Sequence, residues 1–148
     1  MTATNHVVFG ALVATVVQNP VIAIPVALAS HYALDALPHF DYPVKGHHSL
    51  RFFIWLAIDC GIAASILASI LLLQPANAGL MIACGIAAAS PDLMWLYYTI
   101  YKHGEDKDNW PLFVKWHAAV QRHTGPKLWP LELSWLAAMG GLLLVRAA

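Results

Sequence analysis

From residue 52 to residue 73 the chain carries a single charged side chain, Asp59. A hydrocarbon core about 30 Å thick is crossed by roughly 20 residues of helix, so this run is long enough to span a bilayer. In lipid every backbone N–H and C=O must be satisfied internally, which leaves a helix packed among other helices as the fold open to it. Composition extends the constraint to the whole chain. Of its 148 residues 59% are hydrophobic and 11% are charged, against roughly 25% charged in a soluble domain. The net charge of zero and the lack of a basic stretch exclude a nucleic-acid partner.

One membrane-embedded helical domain is expected over residues 1–148, an all-α bundle of about five transmembrane helices plus one interfacial amphipathic helix. The apolar helices are read at about residues 4–18, 20–37, 51–73, 78–101 and 128–145. Asn19-Pro20 and Gln74-Pro75-Ala76-Asn77 are tight turns. Pro25 is expected to bend the second helix, and Ser90-Pro91-Asp92 to kink the fourth. Residues 111–122 read as a helix on the membrane surface. Leu112, Phe113, Trp116 and Val120 fall on one face, with Lys115, Gln121 and Arg122 elsewhere. Gly61, Ser65 and Ser69 repeat every four residues, a stripe expected to admit a close helix neighbour. No positively charged region precedes the first apolar run, so it reads as a retained helix and not a signal peptide. Cys60 and Cys84 fall in different helices at different depths, and no disulfide is expected.

Short turns make successive helices antiparallel, which sorts the polar residues by side. Lys45, Arg51, Lys102, Lys107, Lys115, Arg122 and Lys127 fall on the side of the N-terminus and Arg146 on the other. By the positive-inside rule the first side is cytoplasmic. Phe52, Trp55, Trp95, Tyr98, Tyr101, Trp110, Trp116 and Trp129 form an aromatic belt there.

The same topology gathers ionisable residues in one layer. In Ser30-His31-Tyr32-Ala33-Leu34-Asp35-Ala36-Leu37-Pro38-His39-Phe40-Asp41, His31 and Asp35 are an i,i+4 pair on one helix face. Pro38 ends that helix, and His39 and Asp41 follow. His6 begins the first helix on the same side. Asp59 and Asp92 lie about 12 and 14 Å inside, at 1.5 Å per residue. Imidazole and carboxylate donors converging in this way are what a divalent metal needs. An ionisable residue within a span is by default a functional candidate. Each also has a plainer reading. His6 can be a polar helix start, His31 and Asp35 an intrahelical hydrogen bond, and Asp59 a bond to a neighbouring helix. Asp92 can serve backbone freed by Pro91, and Asp41 can cap a turn. His117 can be exposed on a polar face, His47, His48, His103 and His123 solvated, and Glu132 interfacial.

Asn5-His6 with Gly10, the Asn19-Pro20 turn, Ser30-His31-x-x-x-Asp35-x-x-Pro38-His39-x-Asp41 and Pro91-Asp92 together resemble a family of small bacterial inner-membrane proteins. These are described as membrane-bound metal-dependent hydrolases, the LexA-binding inner-membrane hydrolase family. The His-x-x-x-Asp element followed by His is also similar to one in the all-helical zinc-dependent phospholipases C and related nucleases. The family's His-Arg-Gly…Thr-His-Ser segment is reduced here to Lys45-Gly46-His47-His48-Ser49-Leu50.

The resemblance implicates His6, His31, Asp35, His39 and Asp92 as ligands to one or two divalent metals, with zinc as the cofactor. It implies a hydrolase of the bacterial inner membrane acting on a phosphoester at the cytoplasmic face, a lipid headgroup or a lipid-linked phosphoester. Asp59 or Asp92 is the candidate general base. The alternative is a non-enzymatic membrane protein whose metal or polar site is structural or regulatory and which docks a partner. A transporter would need a polar path to the far side, where the helices carry no His, Asp or Glu.

Overall fold

The structure, a computed structural model, describes residues 1–42, 49–102 and 109–147. The expectations placed on Lys45, His47, His48, His103 and Lys107 lie outside these residues. Six helices follow one another: α1 (Ala3–Val16), α2 (Pro20–Asp35), α3 (Leu50–Leu73), α4 (Ala78–Tyr101), α5 (Leu112–Val120) and α6 (Trp129–Ala147). A 3₁₀ turn, Pro126–Leu128, leads into α6. Among the described residues the fold is all-helical, and three segments are long and apolar enough to cross a membrane: α3, most of α4, and the 3₁₀ turn with α6. The expected five spans are not met by length. α1 and α2 have 14 and 16 residues, so α1 rises only about 21 Å.

The shortness of α1 is explained by its position. It packs against α2, α3, α4 and α6, and its residues Thr4–Val8 and Gly10–Ala14 are buried. A helix surrounded on all sides must be apolar all round, and α1 has no polar stripe beyond its first turn. Its closest neighbour is α4. A Cβ added at Gly10 would lie 2.3 Å from the Cys84 carbonyl oxygen, so only glycine permits this crossing. Gly85 of α4 is a tight but less strict contact from the other side, with Val7 O and Leu67 both 3.2 Å from its ideal Cβ position. The Gly61-Ser65-Ser69 stripe has no such role. It faces outward, nothing lies within 4 Å of Gly61, and the two serines bond back along their own helix.

α2 runs unbroken through Pro25, which sits on its exposed face. Asn19 caps its start by accepting from Val21 N. Its buried residues, Ala23, Ala27, Ser30, His31, Leu34 and Asp35, form one stripe at helical spacing, and Val21, Ile22, Val26 and Leu28 face outward. The apolar exterior of α2, α3 and α6 is consistent with a membrane protein.

The start of α1 is buried, so its unpaired N–H groups need partners from elsewhere. Two carboxylates supply them. Asp59 of α3 accepts from Ala3 N at 2.7 Å, Thr4 N at 3.0 Å, Thr4 Oγ1 at 2.6 Å and the Tyr42 hydroxyl at 3.0 Å. Glu132 of α6 accepts from Thr2 N at 2.8 Å, Thr2 Oγ1 at 2.7 Å, Asn5 Nδ2 at 2.8 Å and Phe40 N at 3.0 Å. Negative charge is favoured at a helix N-terminus, so these acids lock α1 to α3, α6 and the segment after α2. That segment is tied down again at His39. Its N–H donates to His123 O at 3.1 Å and its carbonyl accepts from Gly125 N at 3.3 Å. This pairing holds the end of α5 against the end of α2.

Candidate metal centre

Four elements meet at the end of α2. His31 and Asp35 lie one turn apart on its buried stripe, as the i,i+4 spacing predicts. Asp92 comes from α4, just past Pro91. Proline has no N–H, so the bond to Ala87 O is lost; Ser90 Oγ donates to that carbonyl at 2.9 Å. The freed backbone group is thus satisfied without Asp92, whose carboxylate turns to the histidines. His117 comes from α5, where Val114 and His117 form the buried face. Leu112, Phe113 and Trp116 face outward. The apolar face of Leu112, Phe113 and Trp116 is thus outside, and His117, left open between exposure and a site role, points in, as does Gln121 just past the helix end.

One donor atom from each of His31, Asp35, Asp92 and His117 falls within a group no wider than 4.8 Å. His117 Nε2 is 2.9 Å from Asp35 Oδ2 and 3.6 Å from Asp92 Oδ1. His31 Nε2 is 3.2 Å from Asp35 Oδ2, 3.6 Å from Asp92 Oδ1 and 3.0 Å from His117 Nε2. Metal bonds of 2.0–2.1 Å at tetrahedral angles place donors about 3.3 Å apart, in the middle of these separations.

The chemistry of the donors agrees. His31 Nδ1 lies 2.8 Å from Ala88 O. A carbonyl only accepts, so in the neutral ring Nδ1 carries the proton and Nε2 presents a lone pair. That lone pair faces carboxylate oxygens, which accept as well. Such a cluster of acceptors is unfavourable without a cation at its centre. Among the described residues the ion-pair partners of Asp35 and Asp92 are histidines and the Met1 nitrogen, which lies 2.6 Å from Asp35 Oδ1. Gln121 Nε2 donates to Asp35 Oδ2 at 3.0 Å. An outer hydrogen bond of this kind, like that of His31 to Ala88, orients ligands around a metal. His31, Asp35 and His117 are buried, whereas the Asp92 side chain keeps 28% of its surface.

That exposure opens on a cleft of about 340 Å³ lined by Asp92, His39, Gln121 and Thr124 at its polar part and by residues such as Leu56, Ala64 and Leu93 along its apolar part. The cleft lies between α3 and α4 beside the start of α1.

The remaining expected site residues are placed as follows. His6 joins the cluster's edge, its Nε2 3.1 Å from Asp35 Oδ1 and 4.0 Å from Asp92 Oδ2. His39 stands outside the four-residue group: its Nδ1 donates to Leu37 O at 2.8 Å, and the side chain lies on the cleft wall. Burial pushes the His39 imidazole below its ordinary 6.5. Asp59 is not placed to act as a base, because its two oxygens receive the four donors at the start of α1 and from Tyr42. Burial, with Asp59 beside it, pushes the Tyr42 phenol far above its usual range. Glu132, expected at the interface, is buried in its own network at the start of α1. Asp41 accepts from Tyr42 N at 2.8 Å, a local turn contact.

The sequence reading left His117 open, and the structure brings it to the centre. A signal was present in the i,i+4 spacing of His117 and Gln121, which put two metal-compatible side chains on one face with Val114. Comparison with protein-family models, with curated proteins and with solved structures finds no match for this chain.

Proposed function

We propose that the protein is a membrane-bound, metal-dependent hydrolase of phosphoesters, with zinc held by His31, Asp35, Asp92 and His117. One observation carries the reading: Asp92 belongs both to the buried donor group and to the wall of an amphiphilic cleft. A divalent ion at this place supplies a Lewis acid and lowers the pKa of bound water. The chain's own part is to fix the geometry. Ala88 O sets the His31 tautomer, Gln121 orients Asp35, and Pro91 aims Asp92. Polar groups at one part of the cleft and aliphatic side chains along the rest fit a substrate with a phosphoester head and an apolar tail, a lipid or lipid-linked phosphoester. The cationic residues and aromatics on the site's side of the bundle support a cytoplasm-facing site in a bacterial inner membrane, with α1 and α2 also within the bilayer.

A second reading, a structural or regulatory metal site in a partner-docking protein, is favoured by the four protein donors, which can close a tetrahedral shell by themselves. Purification in detergent, elemental analysis and assay on phospholipid and a soluble phosphodiester separate the two. The hydrolase reading expects bound metal and turnover, both lost in His31→Ala with Asp35→Ala. Metal without turnover on either substrate favours the structural reading. A wild-type protein without metal refutes both.

A further inference from the structure

Asp35 and Asp92 each turn one carboxylate oxygen toward the His31–His117 pair and the other toward His6. Asp35 Oδ2 faces His31 and His117, while Oδ1 lies 3.1 Å from His6 Nε2. Asp92 Oδ1 faces the same two histidines at 3.6 Å, while Oδ2 lies 4.0 Å from His6 Nε2. The two acids are therefore divided between two sets of donors. We infer that they bridge two divalent ions, the second held by His6 Nε2, Asp35 Oδ1 and Asp92 Oδ2.

The geometry of the imidazoles gives independent support. His6 and His31 are stacked, with ring centroids 4.0 Å apart and planes inclined by 25°. Rings stacked in this way, each with Nε2 toward the carboxylates, place two ions about as far apart as the rings themselves. Paired-metal sites have separations of about 3.5–4 Å. Two donors to one ion with bonds of about 2.0–2.2 Å lie at most about 4.4 Å apart, so both His6 distances fit a shared ion. The contact of the Met1 nitrogen with Asp35 Oδ1 is one that an incoming ion replaces.

The inference rests on the proposed hydrolase centre and supplies what that centre lacks. Four protein donors close the first shell. Three donors leave the second ion open positions, and Asp92, its most exposed ligand, borders the cleft. Two divalent ions against two carboxylates also leave the centre positive, which suits an anionic phosphoester. The sites differ in their outer support. His31 Nδ1 is held by Ala88 O, whereas the buried His6 Nδ1 has no hydrogen-bond partner among the described residues. Loss of such a partner weakens metal affinity by about 10–100-fold, so the His6 ion binds the more weakly by about that factor.

The test is the metal content of purified wild type, His6→Ala and His6→Asn loaded with zinc, and the electron paramagnetic resonance of the same proteins loaded with cobalt. The expected result is two ions in wild type, of which the His6 ion is lost before the other on mild chelation, and one in both variants. Spin coupling between cobalt ions should appear in wild type and vanish in the variants. One ion in wild type and in folded His6→Asn overturns the second site while leaving the first ion in place; turnover by that one-ion protein then keeps the proposed function, and its absence favours the structural reading. Loss of every ion on His6→Asn, in a protein that still folds, overturns the division into two sites. A wild type without metal overturns the centre as a whole.

Discussion

The crossing of α1 and α4 sets the distance between His6 on one helix and Asp92 on the other, so Gly10→Ala is the sharpest test of how the fold builds the site. The added Cβ would stand 2.3 Å from Cys84 O and 2.8 Å from Ala88 Cβ. Neither can rotate away: one is backbone and the other is fixed to it. Restoring an ordinary contact of about 3.3 Å requires the helices to part by on the order of 1 Å, and overpacking of this kind costs about 1–3 kcal/mol. With backbone as the obstacle the upper end applies. Alanine returns about 1 kcal/mol over glycine in a helix interior, which leaves Gly10→Ala destabilised by about 2 kcal/mol. Gly61→Ala is the control, since nothing lies within 4 Å of its Cβ position; it should gain up to about 1 kcal/mol. The two variants should thus differ by about 3 kcal/mol in unfolding measured in detergent. Because Gly10 lies one turn from His6, Gly10→Ala should also hold metal more weakly, and Gly61→Ala should not. Equal stability of the two variants would refute the close crossing and the positioning argument built on it.

Other consequences can be measured in the same preparations. Asp59→Asn removes the charge at the start of α1 and sets an amide NH₂ against donors, so it should destabilise the fold by roughly 2–3 kcal/mol while folded protein keeps its metal content. Asp92→Asn should do the reverse, lowering metal content with little loss of stability. Ala64→Trp, on the outward part of the cleft, should raise KM for a long-chain phospholipid and leave metal content and turnover of a soluble phosphodiester unchanged. The His39 imidazole is held below 6.5 in the fold by burial. Below about pH 6.5 the unfolded chain gains a proton that the folded chain does not. The stability this histidine contributes is full above that pH and declines as the pH falls below it, so unfolding at pH 5.5 and 7.5 should differ less in His39→Gln than in wild type.

The helices were legible because apolar runs and Pro/Asn turns bound them. α4 has the expected limits, and α2 and α3 differ by a residue or two at one end. The packing was not legible to the same degree. Small residues in a stripe mark a surface that can be approached closely, but Gly61 and Gly10 look alike in sequence, and only the three-dimensional arrangement sets a helix against one of them. α5 was legible as an amphipathic helix, but beside lipid an apolar face can turn outward, so the pattern gave the two faces and left open whether His117 was exposed or part of a site.

The buried acids Asp35, Asp59 and Glu132 and the partly buried Asp92 pose the same difficulty and suggest its solution. Each is a carboxylate in an apolar helix or at its end, and each must be compensated. What distinguishes them is the kind of partner. Asp59 and Glu132 face N–H and O–H groups that donate and have fixed positions. They are satisfied as they stand and leave no place for an ion. Asp35 and Asp92 face imidazole nitrogens, at least one of which is held as an acceptor by its own backbone bond. Asp35 also meets the Met1 nitrogen and the Gln121 amide, but the His31 lone pair that faces the carboxylate oxygens has no donor of this kind. A helix N-terminus consumes the negative charge set against it, whereas a cluster of histidines and carboxylates has the donor set that could hold a metal ion. The sequence placed all of these acids except Glu132 in one layer, but whether each was structural or functional depended on what the next helix brought to it.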